Sequence, residues 1–141
     1  MNILLFDIDG TLIQSGGAGG AALRHAFCEL FGVEEAADVP FSGRTDKGIV
    51  SEMMACHELE LHDHHWPDLQ SRYLEHLARY LPEKNGSVLE GVTFILERLA
   101  GREDIALGLL TGNLREGARV KLQHFGLFDY FEFGGFGDHH V

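Results

Sequence analysis

Asn2-Ile3-Leu4-Leu5-Phe6-Asp7-Ile8-Asp9-Gly10-Thr11-Leu12 opens the chain, and its reading decides the fold class. Residues 3–6 form an unbroken apolar run, the pattern of a strand buried on both faces of a parallel sheet. The run stops at an acid and a glycine, which puts Asp7 at the strand's carboxyl end. Two carboxylates at i and i+2 beyond such a strand are costly unless something positive binds them. Mg²⁺ suits the pair, because it takes hard oxygen ligands and keeps several waters. A carboxylate is also able to attack phosphorus, and a second one beside it is able to move protons. Gly10 lets the backbone turn tightly, so that neighbouring amides can approach an anion.

Outward from that block, Ile105–Leu110 is a second apolar strand, and it ends at Thr111-Gly112-Asn113. Residues 114–125 follow as a helix with Leu114, Ala118, Leu122 and Phe125 on one face and Gly126 as its stop. Residues 130–133 read as a third strand. Residues 91–100 read as a short helix, preceded by a capping-box-like Ser87-Val88-Leu89-Glu90. Strand, helix, strand, helix, strand is the rhythm of a doubly wound, Rossmann-like α/β sheet, here incomplete at about three strands. Such sheets keep reactive groups at strand carboxyl ends, where Asp7, Asp9 and Thr111 all fall. Thr111, Gly112 and Asn113 suit an anion site of hydroxyl and open amides at a helix N-terminus. They also suit an ordinary capping turn.

Residues 15–86 carry no strand pattern. A glycine-rich joint at 15–20 leads into helical patterns at 21–31, at 46–57 with Thr45 as N-cap, and at 68–80 between Pro67 and Pro82. The predicted division is an α/β core of residues 1–14 and 87–141 and a helical unit of residues 15–86. Met53 and Met54 belong to the helical unit's core. The histidines around His57 and His62-Asp63-His64-His65 read as a polar inter-helix loop rather than a metal site.

The 141 residues include 11 Lys/Arg against 22 Asp/Glu, a net charge of −11. That balance argues against a nucleic-acid or anionic-membrane partner. It permits a small anionic ligand if a metal or local amides offset the field. No apolar run approaches the roughly 20 residues of a membrane span, and no basic segment precedes the first apolar run. Cys28 and Cys56 read as buried thiols of a reducing cytoplasm.

The segment from Asp7 to Leu12 resembles the first motif of the haloacid dehalogenase superfamily, and Leu110-Thr111-Gly112-Asn113 resembles the second. The resemblance implies a nucleophile at Asp7, a general acid/base at Asp9 and a phosphoryl-binding hydroxyl at Thr111. It also implies Mg²⁺ held by the Asp7 side chain and the Asp9 carbonyl. Gly10, Gly112 and Asn113 become phosphate-cradling positions. An acid at Asp9 points to phosphatase-type members, and the insertion after the first strand resembles the helical C1-type cap. Phosphoglycolate phosphatases and beta-phosphoglucomutases share that layout.

Ser42-Gly43-Arg44-Thr45-Asp46 resembles the cap segment of phosphoglycolate phosphatase-like members. Arg44 there suits a clamp on a substrate's distal group, and equally a surface ion pair with Asp46 or another acid. The implied activity is Mg²⁺-dependent hydrolysis of a small phosphorylated metabolite through an aspartyl-phosphate. The alternatives are a non-catalytic fragment that binds phosphate or a partner, and a beta-phosphoglucomutase-like phosphotransferase. The family's further acid pair has no counterpart after residues 130–131, and Asp138 is not accepted as one. The family's basic residue falls beyond Val141 in this reading, and Lys121 reads as an exposed helix residue. The chain is expected to be the front part of a longer one. Otherwise self-association would cover the strand edge left by the missing partner.

Overall fold

The computed structural model describes residues 1–41 and 44–139. In chain order the elements are β1 (Asn2–Phe6), β2 (Ile13–Gln14), α1 (Ala18–Phe31), α2 (Asp46–Cys56) and α3 (His65–Glu83). Then come β3 (Ser87–Val88), α4 (Val92–Ala100), β4 (Ile105–Leu110), α5 (Arg115–His124) and β5 (Phe133–Gly135). β1 pairs in parallel with β4, from Asn2 opposite Ile105 to Phe6 opposite Leu109. β4 pairs in parallel with β5, giving the order β1-β4-β5. The α/β class with a three-stranded parallel sheet is therefore as the sequence implies.

Two apolar clusters hold the chain together. One gathers Phe27, Ile49, Val50, Met53, Met54, Tyr73, Leu77 and Leu81 from α1 to α3, and takes in Leu114. The other gathers Ile8, Leu12, Ile13, Leu96, Leu107, Leu109, Ala118, Leu122 and Phe136 around the sheet. Each fully buried Leu, Ile or Phe side chain contributes on the order of 1.5–3 kcal/mol. β2 and β3 pair antiparallel where the chain enters and leaves the helical unit. That small ladder carries too few residues to leave a periodic signal.

Several elements depart from expectation. β1 is not buried on both faces: Ile3 is 61% and Leu5 52% exposed, because β1 is the sheet's edge. β5 begins at Phe133, and Phe128–Tyr130 turns as a 3₁₀ helix instead of extending. Ser87 and Val88 belong to β3 and make no capping box; the left-handed Gly91 starts α4 without a side-chain cap. α3 reaches beyond both prolines. Pro67 sits in its first turn, where N–H groups lack partners anyway, and Pro82 in its last. Cys28 is half-buried and Cys56 exposed, because Cys56 closes α2 on its outer face. Among the described residues, no helix is long and apolar enough to cross a membrane.

Candidate active site

The carboxyl ends of β1 and β4 open into one cavity of about 870 Å³. Asp7, Asp9, Gly10, Thr111, Gly112 and Asn113 line its floor, and Arg24, Phe41, Arg44, Ile49 and Tyr73 line it from the helical side. Three acids (Asp7, Asp9, Asp46) face three cations (Arg24, Arg44, Lys121), so the cavity is locally balanced within a strongly acidic chain.

Asp7 is exposed on the floor, and its Oδ1 accepts the Ile8 N–H at 2.7 Å. Asp9 is drawn into a network. Lys121 Nζ donates to Asp9 Oδ2 at 3.0 Å and to Asn113 Oδ1 at 2.7 Å, while Asn113 Nδ2 donates to Asp9 Oδ2 at 2.9 Å. Lys121 is 4% exposed. A buried ammonium is tolerable only because a carboxylate and an amide oxygen receive it. The expectation of an exposed Lys121 is thus wrong. The signal was there: Leu114, Ala118, Lys121 and Leu122 share the inward face of α5.

Thr111 forms the capping turn and also faces the cavity. Its Oγ1 accepts the Asn113 N–H at 3.2 Å and Asn113 Nδ2 at 2.8 Å. With both lone pairs engaged, the hydroxyl proton is directed to a further acceptor. The amides differ from expectation. Gly10 N–H donates to Ile13 O and Thr111 N–H to Gly135 O. Leu114 N–H donates to Asp46 Oδ2 at 3.2 Å and Arg115 N–H to Asp138 Oδ1 at 3.1 Å. The start of α5 is therefore capped by two acids and not open to an anion. Gly112 N–H has no acceptor among the described residues.

Gly112 is fixed by a close approach. A Cβ there would lie 2.3 Å from the Arg44 carbonyl oxygen, while Asp46 N–H donates to Gly112 O at 3.2 Å. The segment before α2 is thus seated on the loop after β4. Asp46 itself is buried, and burial raises its carboxyl above the usual range against the pull of Lys121. Burial raises the Tyr73 phenol likewise.

Arg44 lines the cavity but is tied within the helical unit. It pairs with Glu52 and donates to Pro40 O at 3.0 Å, so the partner acid is not Asp46. Ser42 and Gly43 lie outside the described residues. Arg24, which the sequence reading passed over, faces the cavity from α1 and stacks over Phe41 at 5.6 Å.

The donor chemistry fits a hard divalent cation at Asp7: the exposed carboxylate keeps Oδ2 without a partner among the described residues. The Asp9 side chain contributes less, since both its carboxylate oxygens accept from Lys121.

A family model of haloacid dehalogenase-like hydrolases matches residues 4–139, and the chain belongs to that family. Its fold superposes on CbbY from Rhodobacter sphaeroides in complex with phosphate, with TM-score 0.77 and 17% identity over 100% of this chain and 65% of that one. A hydrolase from Pseudomonas syringae gives TM-score 0.68 and 17% identity over 99% and 63%. A predicted phosphoglycolate phosphatase from Haemophilus somnus 129pt gives 0.58 and 18% over 96% and 62%. The chain therefore spans less than two thirds of the length of these structures. No curated protein matches its sequence.

Proposed function

We propose that this chain carries the phosphoryl-binding site of a cytoplasmic, Mg²⁺-dependent phosphomonoester hydrolase that acts on a small phosphorylated metabolite of phosphoglycolate-like size. The observation that carries the reading is the convergence of Asp7, Thr111 and Lys121 on one cavity roofed by the helical unit. Asp7 attacks phosphorus, the bond from phosphorus to the leaving oxygen breaks, and a proton from Asp9 neutralises the alkoxide. Water then cleaves the aspartyl-phosphate, returning Asp7 as carboxylate and releasing phosphate. The Thr111 hydroxyl, the Gly112 N–H and Lys121 bear the charge on the transferring oxygens. Mg²⁺ on Asp7, with the Asp9 carbonyl as the family resemblance implies, would offset repulsion between carboxylate and phosphate. Because Asp9 is turned onto Lys121 and Asn113, proton transfer requires it to exchange those partners for substrate. Arg24 is the cation best placed to meet a distal anionic group.

The test is a burst of alcohol from an aryl phosphate, with and without Mg²⁺, compared with Asp7→Asn. Loss of turnover by at least about 10³-fold is expected for a deleted nucleophile. Unchanged turnover in that variant would end the reading. One observation favours a binding-only alternative: among the described residues, no third carboxylate joins Asp7 and Asp9 at ligand distance. Phosphate binding without turnover would select it. Transfer to a sugar phosphate without net phosphate release would select a mutase. The proposed partners are the metabolite and a second copy of the chain on the β1 edge. Self-association that weakens in Leu5→Lys supports the latter, and a monomer at all concentrations rejects it.

A further inference from the structure

A second cluster of ligand-bearing side chains lies inside the helical unit, away from the cavity. His25 and Glu29 are one turn apart on α1, and His76 faces them from α3. One nitrogen or oxygen of each lies within 4.8 Å of the others. His76 Nε2 is 2.6 Å from Glu29 Oε1, and His25 Nε2 is 3.8 Å from Glu29 Oε2. The His76 side chain is 8% exposed, and its Nδ1 is buried without a hydrogen-bond partner.

We propose that His25, Glu29 and His76 form a zinc-type metal site that clips α1 to α3. The chemistry favours a borderline ion over Mg²⁺, because two imidazoles and one carboxylate are a zinc donor set that leaves a fourth position for water. Ligands on a tetrahedral zinc stand about 3.4 Å apart when each bond is about 2.0–2.1 Å. The two nitrogens stand 2.6 and 3.8 Å from the two Glu29 oxygens, so the ion enters by side-chain rotation. Tyr80 supports the site from behind: its hydroxyl is 3.1 Å from His25 Nδ1. With Nδ1–H donating to Tyr80, the His25 Nε2 lone pair faces Glu29.

Two features compete with the ion, and both give signatures. Arg72 Nη1 stands 3.6 Å from Glu29 Oε1, but Arg72 also bonds Asp68 at 3.0 Å and keeps that partner when displaced. The His25 and His76 rings stack at 3.8 Å with 12° between planes. Parallel rings cannot aim both lone pairs at one ion, so binding turns one ring out of the stack. Imidazole NMR signals of both residues shift together.

The experiment titrates the EDTA-stripped chain with Zn²⁺ by calorimetry, and with Co²⁺ by visible absorption. One equivalent with Kd below about 1 µM, intense tetrahedral Co²⁺ bands and a zinc-dependent rise in thermal midpoint are expected. His25→Gln and Glu29→Gln, which leave the buried His76 in place, weaken binding by about a hundredfold or more. Asp7→Asn, and the triple change of His62, His64 and His65 to Gln, leave it intact. Absence of binding at that concentration overturns the site. So does affinity that survives Glu29→Gln, or affinity lost with the triple variant. None of these readouts depends on phosphatase activity.

Discussion

The two apolar clusters solve the same problem unequally. The helical one closes on itself: Phe27, Val50, Met53 and Leu77 are fully buried, and three helices cover each other. The sheet cluster stays open on one side. Ile3 and Leu5 of β1 and Phe94 and Ile95 of α4 are each about half exposed or more, and β1 has a neighbour on one edge only. The difference teaches where cohesion and chemistry reside. The helical unit contributes most of the closed core, whereas Asp7 and Asp9 sit at the tip of the least protected strand. Local opening is therefore expected at β1 before α1 or α3.

The largest expected effect tests that inequality directly. Leu77→Ala removes a fully buried side chain and should cost about 2–5 kcal/mol in denaturant unfolding. Leu5→Ala should stay within about 1 kcal/mol, the range of an exposed position. Equal costs would show that the β1 edge is covered in solution. Gly112→Ala comes next. Its Cβ would meet the Arg44 carbonyl, so the seat of the helical unit on the sheet must shift, at about 1–3 kcal/mol. Hydrogen exchange should then rise around residues 44–46 and 111–114 while α1 stays protected. Uniform loss of protection would mean that the two clusters unfold as one. Lys121→Met is smaller in stability and clearer in binding. Asp9 loses its cation, and phosphate affinity, read by calorimetry, should fall about tenfold, or about 1.4 kcal/mol. Unchanged affinity would remove Lys121 from the anion site.

The same inequality explains what the sequence made legible. Strand ends and helix faces are periodic, so Asp7, Asp9, Thr111, Thr45 as the cap of α2, and the run Ile105–Leu110 were all readable. Lys121 was misread because its charge outweighed its position on the inward face of α5. The caps on Leu114 and Arg115 were invisible, since Asp46 and Asp138 reach them from 68 and 23 residues away. The pairing of His76 with Glu29 spans 47 residues and leaves no local pattern. Sequence periodicity reports which face a residue occupies. It does not report which distant group meets it there.

Asp46 is the finest test, because it stands at the seam between the two clusters. It ties the start of α2 to the segment between β4 and α5 twice, through its N–H to Gly112 O and through its carboxylate to Leu114 N–H. Lys121 pulls its carboxyl down, Asp9 and Asp138 push it up, and burial outweighs them all, leaving it raised. The folded chain therefore holds this proton to higher pH than the unfolded chain does. Between the ordinary aspartate value and the raised one, folding takes up a proton, so stability falls as pH increases. Asp46→Asn keeps an acceptor for Leu114 N–H and carries no charge. Its thermal midpoint relative to the native chain should climb with pH through that window and then level off. A difference that shrinks with rising pH would mean that Lys121 prevails over burial. The seam would then be latched by charge, and the helical unit would loosen from the sheet on acidification instead.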